Sequence, residues 1–249
     1  MKLDLQRKNI LITGAATGMG RATALEVAKH GASVGIADIN GEGLKEVSEK
    51  LSASGCNHKS ILMDVTSIEE VEKKINELED WFEGGINTLV HFAGALEGSV
   101  VDIDELPSET WNRIININLN GTYNVSRVVA KFMKTRNEGV ILLTSSGAGV
   151  LGPGSSPPYS ASKGGTHGLT FNLQNYLGPQ GIRVHDILPG NIKSPLKEGQ
   201  LREALKNTGD EKTYEEHYAE LGDPAGVAKI VAFIISDDAS YLKGSIVTR

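Results

Sequence analysis

Seven short apolar runs, separated by longer stretches of mostly amphipathic character, recur from one end of this 249-residue chain to the other, and few folds accommodate that rhythm. The runs lie at 9–13, 33–37, 60–63, 87–90, 139–143, 183–188 and 244–247. Between them the spacing predicts helices over 18–30, 41–54, 67–82, 108–135, 158–178 and 224–236, the fifth opened by Pro157-Pro158 and stopped by Gly178-Pro179. Repeated strand-helix units predict an α/β, doubly wound parallel sheet sandwiched between helices. No internal repeat and no linker-like composition divides the chain, so 1–249 is expected to form one domain. The least regular stretch, 190–222, follows the sixth run directly. In an open parallel sheet ligands sit beyond the carboxyl ends of the strands, so this stretch is placed to act as a lid.

Composition narrows the partners. The chain carries 25 Lys+Arg against 31 Asp+Glu, a net charge of −6, with both signs interspersed, which argues against nucleic acid. One cysteine, Cys56, can form neither an internal disulfide nor a Cys-rich metal site, and the six histidines are scattered, so no metal is expected. No apolar run approaches a membrane span, and Met1-Lys2-Leu3-Asp4 lacks the apolar stretch of a signal peptide. A cytoplasmic, membrane-free protein is the expectation.

Glycine is the compositional outlier, 29 of 249. The segment Thr13-Gly14-Ala15-Ala16-Thr17-Gly18-Met19-Gly20 closes the first run and opens the first helix. Glycines there let the backbone turn sharply and approach a ligand, while free helix N-terminal N–H groups favour a pyrophosphate. No Gly-Lys-Ser/Thr follows, which excludes a P-loop. Asp38 ends the second run, 18 residues after Gly20, where a carboxylate accepts hydrogen bonds from both ribose hydroxyls of an adenosine and repels a 2′-phosphate. Neither the loop nor Ile39-Asn40 offers a basic residue, and Arg21 is the only one nearby. The cofactor expected is NAD, with Gly14, Thr17, Gly18, Met19, Gly20, Asp38 and Ile39 around it.

Tyr159 and Lys163 stand four apart at the start of the fifth helix, on one face within one turn. A phenol ordinarily titrates near pH 10, and lowering that by ~2–3 pH units requires ~3–4 kcal/mol, which a close ammonium in a dry cleft plus a second nearby positive charge supplies. Tyr159 is therefore expected to become a usable acid-base. Thirteen residues earlier, Ser146 ends the fifth run, where its hydroxyl can meet a substrate oxygen.

The glycine loop, Asp38, Asp64-Val65, Ala93-Gly94, Asn118, Ser146, Tyr159-x-x-x-Lys163 and Pro189-Gly190 fall in the order and spacing of the short-chain dehydrogenase/reductase family, which the chain resembles over nearly its whole length. The resemblance implies a Rossmann-like fold of seven strands in the order 3-2-1-4-5-6-7. It implies that Asp64 and Val65 meet the adenine, that Ala93 and Gly94 lie beside the adenosine ribose, and that Asn118 holds a water linking Lys163 to solvent. In Pro189-Gly190-Asn191-Ile192-Lys193-Ser194, Pro189 and Gly190 border the cofactor, while the Ile192 backbone and Ser194 hydroxyl fix the carboxamide. Asn116 and Asn120 are read as polar helix positions only. Asn118, Ser146, Tyr159 and Lys163 form the catalytic set by the same resemblance: Tyr159 takes the alcohol proton as hydride leaves carbon, and Lys163 also binds the nicotinamide ribose. The implied activity is NAD-dependent interconversion of a secondary alcohol and a ketone by a homo-oligomer, dimer or tetramer, joined through the long helices 108–135 and 158–178.

Two departures stand out. His91-Phe92 replaces the family's Asn-Asn, so His91 is expected to substitute structurally for an asparagine that ties central strands together. The sequence stops at Arg249, where family members usually continue into Val-Asp-Gly-Gly and a tail packed near the active site and a subunit interface. They keep open a nucleotide-sensing or interaction protein of the same fold without turnover; an NADP-dependent ketone reductase is the other alternative. Candidate substrate walls are Ala95-Leu96-Glu97, Leu151-Gly152-Pro153 and 191–205, where Lys193 and Lys197 are read as solvated lid lysines before anion ligands.

Overall fold

The structure is a computed structural model that describes residues 3–99, 101–152 and 155–248. Met1, Lys2 and Arg249, and Pro153 among the candidate walls, lie outside the described residues. Strands β1 (Asn9–Thr13), β2 (Ser33–Asp38), β3 (His58–Leu62), β4 (Thr88–His91), β5 (Gly139–Thr144), β6 (Ile182–Leu188) and β7 (Gly244–Val247) form one parallel sheet in the order β3-β2-β1-β4-β5-β6-β7. This is the Rossmann-like arrangement that the sequence predicts. The helices are α1 (Gly18–Lys29), α2 (Gly41–Ala53), α3 (Ile68–Trp81), α4 (Ser108–Ile115), α5 (Gly121–Arg136), α6 (Gly147–Val150), α7 (Pro157–Leu177), α8 (Pro195–Thr208), α9 (Glu211–Ala219) and α10 (Pro224–Ile235).

Successive strand side chains point to opposite faces, and both faces are covered. Ile10, Ile12, Val34, Ile36 and Leu142 pack beneath α1, α2 and α10, while Leu11, Leu89, Ile141 and Leu143 pack beneath α3, α5 and α7. Burial of each such side chain stabilises the fold by about 1.5–3 kcal/mol. Local chemistry sets where the helices begin. The side chains of Asn40, Ser67, Ser194, Asp210 and Asp223 accept hydrogen bonds from first-turn N–H groups of α2, α3, α8, α9 and α10.

Two expectations need correction. The helix expected over 108–135 is three pieces: α4 and α5 are joined by a π-helical turn, Asn116–Asn120. The stretch 190–222, expected to be irregular, is mostly the helix pair α8 and α9, closed at its base by a parallel bridge between Ile192 and Gly222. There the Lys193 N–H donates to the Gly222 carbonyl at 2.9 Å and the Gly222 N–H to the Asn191 carbonyl at 2.8 Å. Among the described residues no helix is long and apolar enough to cross a membrane.

Candidate active site

The chain reverses direction across the sheet between β1 and β4, and the loops leaving the carboxyl ends of the strands open a cleft there of about 520 Å³. Gly14 sits at φ 66° with its α-carbon face against the next loop, where an added Cβ would lie 2.6 Å from the Ala93 nitrogen. At Gly20 a Cβ would come within 2.1 Å of the Gly14 carbonyl oxygen. Only glycine permits this turn, which leaves the N-terminus of α1 bare toward the cleft. Gly14, Thr17, Gly18, Met19, Gly20, Asp38, Ile39, Asp64, Val65, Ala93, Gly94, Tyr159, Lys163 and Ser194 all line it. The Asp38 carboxylate is held at the end of β2 by the N–H groups of Ala16 and Asn40, both at 3.0 Å. Arg21 does not serve an anion there, being paired with Glu46 at 3.1 Å. This glycine cradle with a fixed carboxylate at the second strand's tip fits the adenosine and pyrophosphate of a nicotinamide dinucleotide.

A second cleft, of about 470 Å³, adjoins the first. Ser146, Pro189, Gly190, Asn191 and Ile192 line this one, whereas Tyr159, Thr144, Met19, Ser194 and Leu196 line both. Pro189, Gly190 and Ile192 thus sit beside the second cleft and not in the first. The Ser194 hydroxyl, expected to fix a carboxamide, accepts the Lys197 N–H at 3.2 Å as the N-cap of α8.

Tyr159 and Lys163 project from the first turns of α7. The Lys163 Nζ stands 5.7 Å from the Tyr159 ring centroid and donates to the Thr144 carbonyl at 2.7 Å. Burial pulls the Lys163 ammonium down to about 8. Burial also pushes the Tyr159 phenol up, opposed by hydrogen bonding to the Ser146 side chain. In the protein alone desolvation dominates and Tyr159 rests as the acid; the lowered phenol expected from the sequence calls for a second positive charge in the cleft beside Lys163.

Asn118 is fully buried in the π-helical turn. Its side chain is fully engaged, accepting the Ala95 N–H at 2.8 Å and donating to the Ala95 carbonyl at 2.9 Å and the Ser162 hydroxyl at 3.0 Å. The side chain therefore ties the loop after β4 to α7, and these bonds leave it no free group for the water expected there. His91 takes the place expected of a structural substitute. Its Nδ1 meets the Thr13 hydroxyl at 2.8 Å across β1, and the Thr144 hydroxyl donates to its carbonyl at 2.6 Å from β5. Burial, with the Lys163 charge adding to it, lowers the imidazole to about 3.

Several residues that line the dinucleotide-side cleft carry no cofactor signal in the sequence: Arg113, Ile117 and Thr144, together with Phe92, seen only as a departure from the family's Asn-Asn, Leu196, expected as part of a substrate wall, and Asn116, read as a polar helix position only. Arg113 pairs with Glu97. Among the other candidate walls Leu96, Gly152 and Lys197 face the second cleft, Ala95 the first, and Leu151 is exposed. Lys193 lies outside both, its ammonium 4.9 Å from the Tyr218 ring centroid.

Fold and site together define a nicotinamide-dinucleotide-type α/β protein with a serine, a tyrosine and a lysine gathered at the cofactor cleft. The chain belongs to the short chain dehydrogenase family, which it matches over residues 8–204. It is 31% identical over 245 residues to a 3-oxoacyl-[acyl-carrier-protein] reductase of Thermotoga maritima, covering 98% of this chain and 97% of that protein. To a cyclohexanol dehydrogenase of an Acinetobacter species it is 33% identical over 245 residues, covering 98% and 94%. The solved structure of an actinorhodin polyketide ketoreductase with NADPH superposes with a TM-score of 0.89 at 28% identity, covering 99% of this chain and 97% of that one. The protein is thus an oxidoreductase of a family that binds a nicotinamide cofactor and acts on small molecules.

Proposed function

We propose that this protein interconverts a secondary alcohol and its ketone with NAD as cofactor, with Tyr159 as the acid-base. The observation that carries the reading is that Tyr159 lines both clefts at once, with Ser146 on the substrate side and Lys163 on the dinucleotide side. A nicotinamide held in the first cleft supplies the hydride acceptor, or the donor in reduction. The Ser146 and Tyr159 hydroxyls hold the substrate oxygen from the second cleft. In reduction Tyr159, protonated at rest, gives its proton to that oxygen; in oxidation its phenolate receives the alcohol proton, and the Lys163 ammonium stabilises the anion. Within this reading Asn118 is a positioning residue through its bond to Ser162, whose hydroxyl in turn donates to the Tyr159 carbonyl at 2.8 Å.

The choice of NAD rests on Asp38. A 2′-phosphate would face a carboxylate already fixed by two N–H groups, with Arg21 committed to Glu46. The relative solved with NADPH makes this a point to measure. Residues 190–222 serve as the substrate lid of a single dinucleotide-binding domain. A homo-oligomer joined through α5 and α7 is proposed because the groove between those helices, about 570 Å³, carries exposed Tyr123 and Tyr176. A cytoplasmic setting accords with the single cysteine.

The test is a titration with NADH and NADPH followed by nicotinamide fluorescence, then a panel of secondary alcohols and ketones. The wild type should bind NADH at least tenfold tighter than NADPH and turn over members of the panel. Asp38→Ser should erase the preference, and Tyr159→Phe should keep NADH affinity within about twofold while losing on the order of 10²–10⁴ in turnover. Tight NADH binding with no turnover across the panel would instead indicate a nucleotide-sensing protein.

A further inference from the structure

The second cleft has an asymmetric charge. Among the described residues it contains one charged side chain, Lys197, and no carboxylate, in a chain whose net charge is −6. The lid's acids do not neutralise it. Glu198, next in sequence, lies toward Arg202 and the Tyr218 hydroxyl, both at 3.5 Å. Lys197 is also held in place. Its Nζ donates to the Gln200 Oε1 at 2.9 Å, the Gln200 Nε2 donates to the Ser155 hydroxyl at 3.2 Å, and the Ser155 N–H donates to the Ser160 hydroxyl at 3.0 Å, one residue from Tyr159. A flexible lid lysine is thereby tied to the wall that carries the acid-base. Half-burial without an acidic neighbour pushes its ammonium down, a cost that an anionic ligand would reverse.

We propose that Lys197, with Gln200 and Ser155, forms a carboxylate subsite, and that the natural substrate is a hydroxy acid and its oxo-acid counterpart. The inference rests on the alcohol-ketone reading and specifies its substrate class. One lysine flanked by neutral hydrogen-bonding groups matches a single negative charge, whereas a phosphate dianion calls for more positive charge than this cleft holds. The carbinol C–H would give its hydride to the oxidised nicotinamide and the hydroxyl its proton to the Tyr159 phenolate, two electrons in all, as the C=O bond forms, and the carboxylate is unchanged. Lys193, placed outside the cleft over Tyr218, takes no part.

Binding tests this independently of turnover. Titration calorimetry on the NAD-saturated protein would compare cyclohexanecarboxylate and butanoate with their neutral amides, none of which can be oxidised at a carbinol. The carboxylates should bind at least tenfold tighter than the amides. Lys197→Met should abolish that difference while leaving NADH affinity within twofold, Lys197→Arg should keep most of it, and Tyr159→Phe should keep it fully. Equal binding of acids and amides, or no binding of either, overturns the subsite. So does a preference that survives Lys197→Met, or a tenfold loss of NADH affinity in that variant, which would assign the lysine to the cofactor. If the acids bind through Lys197 but no hydroxy or oxo acid, alcohol or ketone turns over, the subsite stands and the alcohol-ketone reading fails. Turnover of neutral cyclohexanol with no carboxylate preference gives the reverse.

Discussion

A neutral imidazole at the heart of the sheet has a consequence in acid. His91 is about 1% exposed and titrates near 3, against an ordinary value near 6.5. As pH falls the unfolded chain takes up the proton first. The stability this site contributes is therefore complete above about pH 6.5 and drains away as pH falls toward 3, a loss on the order of 5 kcal/mol at its limit. His91→Asn removes the titration while retaining an amide to meet Thr13. Urea unfolding between pH 7 and 4 should show wild-type stability falling more steeply than the variant's, by about one proton. Parallel curves would show that the imidazole is relieved in some other way. The other low-titrating groups, His185 among them, are common to both proteins and cancel in the difference. At this scale much of the site was legible from sequence, because its side chains stand at strand ends where spacing locates them. Protonation was not: the sequence places Tyr159 beside Lys163, but only burial decides that the phenol rises.

Among the elements, the π-helical turn gathers the most consequence into the fewest residues. Asn118 connects it to the loop after β4 and to α7. Asn118→Ala would leave the Ala95 N–H and carbonyl unpaired in a protected site, and thermal and urea unfolding should show a loss of about 2–4 kcal/mol. Because Ser162 loses its neighbour as well, turnover should fall further than NADH affinity does. A variant as stable as wild type would remove Asn118 from this role. The turn escaped the sequence reading since one extra residue per turn barely disturbs the apolar period over 108–135. The lid helices escaped for a different reason. Leu201 is the only buried residue of α8 and none of α9 is buried, so no apolar stripe announces them. Their caps, Ser194 and Asp210, were the available signal. At the sheet edge β3 begins at His58, two residues before its apolar run, since an outer strand needs less burial.

On the scale of the whole molecule, the two cores cover opposite faces of the sheet, and the α5–α7 face is left with aromatic side chains in solvent. Tyr123 is 51% exposed beside Arg127, Lys131 and Lys134. Tyr123→Arg adds like charge to that groove and should convert an oligomer to monomer in sedimentation at micromolar concentration, with its unfolding midpoint little changed. A wild type already monomeric at that concentration would refute the proposed interface. Strand-helix alternation made the parallel sheet readable, whereas its strand order came from the family resemblance. How copies assemble was not, since surface side chains answer to a neighbour outside the chain's own periodicity.

The bridge between Ile192 and Gly222 makes the intervening segment a closed cassette. Its ends are already side by side, so residues can be exchanged, inserted or removed between them with little effect on the strands that carry Ser146 and Pro189 or on the helix that carries Tyr159. Selection can thus revise what enters the cleft while the proton-handling apparatus is inherited unaltered, and a graft cut at these two positions is the natural unit for moving a substrate preference from one homologue to another.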